Sequence, residues 1–347
     1  MNSEFEALLD LSARVGADPA LVQGAGGNTS IKQDGVLWIK ASGLWLRDAR
    51  SRDIMVPVAL QPLLDAVAGD DPSAEKAQQY VLDDRNPSGL RPSIETTVHA
   101  LMPQKVVVHV HCTATIAHAV QENAEELVAS RLAGIPHAFV PYARPGLPLA
   151  RAIAARIRPG TSVLVLGNHG LAVAAETVGA AEALLADMSR RLALPARPPR
   201  PADLAALQRL AAGSGYRLPD DEAIHHVATD ETSCAFAAGG SLYPDHVIFL
   251  GKGSLLAGEA VHSLEDEAKR NGAALPPALL FPGKGVLVAA DASAGALALA
   301  RCLSDVTARI PQGARLRYLT DAENAELLGW DAEKYRQTLN LAAGAAR

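Results

Sequence analysis

Two histidines one residue apart, His109 and His111, close the apolar run KVVVHVH at 105–111. Side chains on a β-strand alternate between faces, so this spacing turns both imidazoles to one side. Neutral imidazole is a favoured ligand of zinc and similar divalent ions. Taken alone, the pair leaves two readings open: joint ligation of one ion, or two hydrogen-bonded histidines in a core strand. A third histidine, His169, in the glycine-flanked segment Gly167-Asn168-His169-Gly170 favours the metal. Three histidines with one open position is the arrangement of a catalytic ion rather than a closed structural one. Glu95 lies just upstream of the histidine strand. It reads either as a capping carboxylate at a helix start or as a general base or displaceable fourth ligand.

The remaining reactive side chains read as structural. His99, four residues after Glu95 on the same helix face, suits the orienting of a neighbour better than ligation. His118, His137, His225, His226, His246 and His262 have no ligand partner at a recognisable spacing, and Cys112 reads as a small buried residue. The segment Gly24–Ser30 superficially suggests a dinucleotide fingerprint but fails it. The last glycine is missing, and a strand rather than a helix follows. Asn28 after this turn, with Ser42 and Gly43 after the paired strand, could present backbone N–H groups to a phosphate. A hairpin that needs glycine for positive φ explains the same residues equally well.

The elements that must carry these groups alternate. Helical periodicity covers 4–15. Residues 29–32 and 36–40 form a hairpin around Asp34-Gly35. A helix is expected to open at Pro92-Ser93-Ile94-Glu95 and run to Met102, with proline early, where its missing N–H is harmless. Strand 105–111 is followed by a helix over 114–125, a short strand at 138–142, a helix at 148–157, a buried strand at 162–167 and a helix from Val178. The class is α/β.

At 347 residues the chain has room for two domains or one large domain with an appended half. A net charge of −6 without any long basic run argues against a nucleic-acid partner. Three cysteines without a CxxC pair argue against a disulfide framework. The acidic amphipathic start does not resemble a signal peptide, and no apolar stretch approaches the ~20 residues of a membrane span. A cytoplasmic protein acting on a small molecule, and not on a membrane, is expected.

The segment LALPARPPRPAD at 192–203 carries four prolines and reads as a linker. Beyond it, ALLFPGKGVLVAADASAGALALARCL from Ala278 parallels VLVLGNHGLAVAAETVGAAEALLADM from Val163, with Lys284 in the place of His169. The expected division is a metal-binding catalytic domain over 1–194, a linker at 195–203, and a degenerate half over 204–347 without the metal ligands.

In order, GGNTS, ASG, PSIE, HVH, VPYARPG and GNHGL match the motif series of the class II aldolase/adducin superfamily. Residues 1–190 resemble its fuculose-phosphate aldolases. The remainder, including YPDHVI and WDAEKYRQ, resembles the aldolase module of bifunctional rhamnulose-phosphate aldolase/alcohol dehydrogenases. The resemblance implies a three-layer αβα fold around a mixed, largely antiparallel sheet. It implies metal ligation by His109, His111 and His169, most often of Zn2+, with Mn2+ or Co2+ as alternatives. It makes Glu95 the carboxylate that ligates the resting metal and moves the proton at the substrate carbon, and Tyr142 the acid near the aldehyde. Asn28, Ser42, Gly43 and Ser93 match phosphate-binding positions. Ala41 and Ile94 stand where threonine and serine are frequent, which removes two hydroxyls from that site. The implied activity is cleavage or formation of a carbon–carbon bond in a hydroxy ketone through a metal-stabilised enediolate, in a homo-oligomer of tetrameric type. The same superfamily holds 4-epimerases, a dehydratase, decarboxylases and the non-catalytic adducin scaffolds. Glutamate at 95 favours aldolase over epimerase, and the intact histidines favour an enzyme over a scaffold.

Overall fold

Alternating apolar strands divide their side chains between two helical layers. The structure, a computed structural model, describes residues 3–258, 261–271, 274–335 and 338–339. Arg336 and Gln337 of the WDAEKYRQ segment, and the chain from 340 on, lie outside the described residues. The chain divides into two compact units, residues 1–119 with 123–193, and residues 120–122 with 194–347.

Unit 1 contains α1 (Ser3–Ala17), β1 (Asn28–Gln33), β2 (Val36–Lys40), β3 (Met55–Ala59), α2 (Leu60–Ala68), α3 (Thr96–Leu101) and β4 (Val106–Val110). It continues with α4 (Thr113–Ala119), α5 (Ala124–Arg131), β5 (His137–Val140), α6 (Leu147–Arg156), β6 (Val163–Leu166), β7 (Gly170–Ala175) and α7 (Val178–Arg191). Its sheet runs β3-β2-β1-β4-β7-β6-β5. Every neighbouring pair is antiparallel except β5 with β6. Val106, Val108 and Val110 pack with Leu8, Leu11, Leu185 and Met188 of α1 and α7. Val107 points the other way, to Val98 of α3 and Leu149 and Ile153 of α6. Period-two burial on both faces makes the three-layer αβα arrangement. Each buried valine or leucine contributes about 1.5–3 kcal/mol.

Two expected elements differ. Pro92-Ser93-Ile94-Glu95 does not open a helix. Pro92 bridges Ala41 and the Ser93 N–H donates to the Lys40 carbonyl at 3.0 Å, so the segment is held as an added strand edge. The helix begins at Thr96. The helix expected over 114–125 is broken into α4 and α5, with a β-bridge from Gln121 to Leu316 in the gap.

Unit 2 contains α8 (Leu204–Ala211), β8 (Tyr216–Arg217), α9 (His226–Thr229), α10 (Glu231–Ala238), α11 (Pro244–Leu250), β9 (Leu255–Leu256), α12 (Val261–Asn271), β10 (Ala278–Phe281), β11 (Gly285–Ala289), α13 (Ala294–Arg309) and α14 (Asp321–Gly329). Its sheet order is β8-β11-β10-β9. The pairings are antiparallel, antiparallel and parallel, as in β4-β7-β6-β5 of unit 1. The proline-rich segment forms no helix or strand between Leu194 and Asp203. Arg197 anchors it within unit 2, donating to Asp230 and Ser233 at 2.8 Å and to the Thr307 carbonyl at 2.6 Å. No helix among the described residues is long and apolar enough to cross a membrane.

Candidate metal centre

Strand pairing puts Asn28 directly across from His109 on one side, and Ala172 across from it on the other. The small Ala172 leaves space for the imidazole. His111 lies just past the end of β4, and His169 closes the turn between β6 and β7. Asn168 there adopts φ 54°, a left-handed conformation that asparagine tolerates better than most residues. Gly170 is obligatory for this approach, since a Cβ on it would lie 2.4 Å from the Val110 carbonyl oxygen. Gly27, at φ 59°, likewise lets the glycine-rich loop meet the His109 carbonyl, which a Cβ would approach to 2.9 Å.

The three imidazole rings face one another, with centroids 5.0, 5.0 and 5.1 Å apart. Glu95 completes the group. Its Oε2 is 3.4 Å from His109 Nε2 and its Oε1 is 3.3 Å from His169 Nε2. One ligand atom from each of Glu95, His109, His111 and His169 lies within 4.8 Å of all the others, and all four residues are buried. Ligands held about 2.0–2.1 Å from a tetrahedral ion would be roughly 3.3 Å apart, so the short edges match.

The donor chemistry gives a second test. His109 Nδ1 lies 3.0 Å from the Leu171 carbonyl oxygen, which can only accept, so Nδ1 carries the proton. In the neutral ring, Nε2 then directs a lone pair at a carboxylate oxygen. Two acceptors at that separation repel unless a cation or a proton lies between them. A buried carboxylate without a counter-charge costs several kcal/mol. Burial pushes the Glu95 carboxyl up. Positive charge at the His109, His169 and His111 positions, with the Asn28 amide, outweighs it and holds the group well below the usual carboxylate range, and a bound cation supplies that charge when the rings are neutral. The residues therefore fit a divalent cation, with the backbone carbonyl fixing the His109 tautomer as outer partners of metal histidines do.

Glu95 occupies the position before α3, yet its side chain makes no capping bond. The carboxylate points into the cluster instead. Asn28 Nδ2 donates to Glu95 Oε2 at 2.8 Å and to Ser93 Oγ at 3.1 Å. Both amide hydrogens are thus engaged, and in this arrangement neither faces outward to a phosphate. Ser93 Oγ also accepts the Glu95 backbone N–H at 3.2 Å. Ser42 is laid beside this segment by its N–H to the Arg91 carbonyl at 2.9 Å, and Gly43 follows at φ 76°. The backbone of Tyr142 rests against the histidine turn, its nitrogen 2.9 Å from where a Cβ on Gly167 would lie. His99 never enters the cluster. Its Nδ1 meets Ser30 Oγ at 2.7 Å and its Nε2 meets Asn28 Oδ1. Burial, then His109, keeps it neutral, down to about 3.

Lys40 was not among the expected site residues. It is 2% exposed, and its Nζ donates to the carbonyls of Ala25 and Gly27, each at 2.8 Å. It fixes the glycine-rich loop from below. Its place one residue before Ala41-Ser42-Gly43, in a strand otherwise apolar, was the available signal.

A protein of Bacillus subtilis strain 168 described as the uncharacterized oxidoreductase YuxG is 30% identical over 187 residues, 50% of this chain. The chain spans about a quarter of that relative's length, 26%. Among solved structures, the N-terminal class II aldolase domain of a conserved Thermoplasma acidophilum protein is 27% identical, with a TM-score of 0.48 over 55% of this chain and 93% of that one. The l-fuculose-1-phosphate aldolase of Thermus thermophilus is 18% identical, with a TM-score of 0.35 over 60% and 98%. The model of the class II aldolase and adducin N-terminal domain matches residues 6–193, and the chain belongs to that family.

Proposed function

We propose that the chain is a divalent-metal-dependent aldehyde lyase that makes or breaks a carbon–carbon bond in a hydroxy ketone of sugar type. The convergence of three buried imidazoles and one carboxylate carries this reading. His109, His111 and His169 would hold the ion, with Zn2+ the first candidate from the ligand set. When bound, such an ion supplies Lewis-acid stabilisation of negative charge on the substrate oxygens, worth several kcal/mol. Glu95, aimed by Asn28, moves the proton at the substrate carbon, and Tyr142 is assigned the proton at the aldehyde oxygen. Ser42, Gly43 and Ser93 line the place for the donor's far end. Ala41 and Ile94 add no hydroxyl there, which favours a weakly charged or unphosphorylated donor. The three cysteines are buried and form no disulfide with one another, which suits a reducing cytoplasm. We further propose a symmetric oligomer, with a second copy excluding water from the rim of the site.

Unit 2 is assigned as a half copy of unit 1 that has lost the ligands. The equivalent hairpins close on Leu166–Gly170 and Phe281–Gly285, which aligns His169 with Lys284. Continuing the Arg217–Val288 pairing sets Leu218 and Asp220 in the places of His109 and His111.

The test is a screen of aldehydes against dihydroxyacetone phosphate, pyruvate and glycolaldehyde with the metal-loaded protein, read for carbon–carbon bond formation. Turnover with one donor, lost on chelation, is expected. A metal-loaded protein inert toward every pair would remove the lyase assignment.

A further inference from the structure

We propose that His99 is a positioning residue. Through Asn28 it fixes which edge of an amide faces Glu95, and so holds the carboxylate in the metal cluster. This rests on the metal reading above and deepens it.

Hydrogen-bond polarity along the chain of contacts admits one assignment. Glu95 Oε2, in its ionised form, can only accept, so the Asn28 atom 2.8 Å from it is the amide nitrogen. The other Asn28 terminus is then the carbonyl oxygen, which also only accepts. His99 Nε2 faces that oxygen and must carry the ring proton. His99 Nδ1 therefore accepts, and Ser30 Oγ, 2.7 Å away, donates its hydroxyl hydrogen to it. The direction runs from Ser30 to His99, to Asn28, to Glu95, with each member's role set by the next.

Every link is out of water. Ser30 and His99 are 0% exposed, Asn28 is 3% and Glu95 is 4%. No solvent exchange can restore a lost donor here, so a wrong orientation at one link carries to the next. Ser30 and Asn28 project from the same face of β1, on the side of the sheet that packs α3, and Ser30 is paired with Val107 of that face. One strand thus holds both ends of the imidazole. Without the His99 donor, the buried Asn28 oxygen is left unpaired and the amide loses the bond that fixes it from behind. An amide that shifts to satisfy its oxygen no longer holds its nitrogen on Glu95, and the carboxylate loosens from the cluster. A neutral side chain that donates at the Nε2 position is required, and glutamine can supply that donor.

The experiment compares wild type with His99→Phe, His99→Gln and the double variant His99→Phe/Glu95→Gln. Co2+ affinity is read by absorption titration, and Glu95 is located in crystals of the metal-free proteins. His99→Phe is expected to bind Co2+ about 10- to 100-fold more weakly, the range typical of outer partners of metal ligands. His99→Gln should recover most of that loss even if its melting temperature stays as low as that of His99→Phe. In the Glu95→Gln background, His99→Phe should cost almost nothing further, because its target is gone. An undiminished penalty in that background, or no rescue by glutamine, overturns the proposal. So does a metal-free His99→Phe crystal in which Glu95 keeps its Asn28 bond and its place. A wild type that takes up no Co2+ removes the metal reading instead, and the clamp is then decided by where Glu95 lies in those crystals.

Discussion

The turn between β6 and β7 and the turn between β10 and β11 have the same pairing, the same length and different chemistry. Each joins an antiparallel hairpin closed on a glycine, at Gly170 and Gly285. In each, a Cβ on that glycine would be too close to neighbouring atoms: 2.4 Å from the Val110 carbonyl oxygen in one, 2.8 Å from His225 Nδ1 in the other. The first turn delivers His169 to two further imidazoles and a carboxylate. The second delivers Lys284 to a unit in which, on the proposed correspondence, Leu218 and Asp220 just past β8 take the places of the two strand histidines. The hairpin is therefore a backbone device, and chemistry depends on what the neighbouring strand presents to it.

Exchanging the difference should have the largest effect. His169→Lys gives the first turn the side chain of the second and sets an ammonium among the ligands. Metal content, measured by plasma emission after dialysis, should fall from about one ion per chain to almost none, since a lost ligand and an added cation both oppose binding. Full metal content in this variant would mean His169 is not a ligand.

Next in size is Glu95→Gln, which keeps shape and loses the proton carrier. Turnover on any substrate found by the aldehyde screen should drop about 10²–10⁴-fold, with the circular dichroism spectrum unchanged. Wild-type turnover would return Glu95 to a structural role.

Smaller still is a pH effect that both units share to different degrees. Burial holds His99 down to about 3 and His246 to about 4, against 6.5 unfolded. His246 is satisfied by the Leu242 N–H at 3.3 Å and the Gly253 carbonyl at 3.1 Å. As pH falls below about 6.5 the unfolded chain takes up these protons first. Each contribution to stability is therefore complete above that pH and lost as pH falls toward the folded value. The slope is at most about 1.4 kcal/mol per pH unit for each histidine. Melting temperatures of metal-free protein between pH 7 and 5 should fall, and His99→Gln should flatten part of that fall. An unchanged slope would show that His99 is not held neutral by the fold.

The smallest expected effect is none. Lys284→His gives the second turn the histidine of the first, but on the proposed correspondence Leu218 still stands where His109 would be. Co2+ titration should show no added site. A second equivalent bound with high affinity would mean that unit 2 keeps a ligand set of its own.

The sequence made the backbone plan legible where the signal was local. The Asp34-Gly35 hairpin, the alternation in VVVHVH and the glycine-flanked His169 are each readable within a few residues, and all fall where expected. What escaped depended on distant partners. PSIE reads as a helix start because nothing nearby reveals that Ser93 pairs with Lys40 and Pro92 with Ala41. The break after α4 depends on residue 316, nearly two hundred positions away. Lys40 is not legible as a site residue because lysine is rarely interred, and only the folded loop shows the two carbonyls that receive it. Asn28 was legible as a site residue, but its service to Glu95 depends on His99 arriving from another element.

Anomalous X-ray diffraction from crystals grown with Zn2+ or Co2+ would locate the ion itself. One strong peak is expected in unit 1, about 2.0–2.2 Å from nitrogens of His109, His111 and His169. A metal-soaked crystal with no peak among those three rings, or with the rings turned apart, would contradict ligation by these histidines.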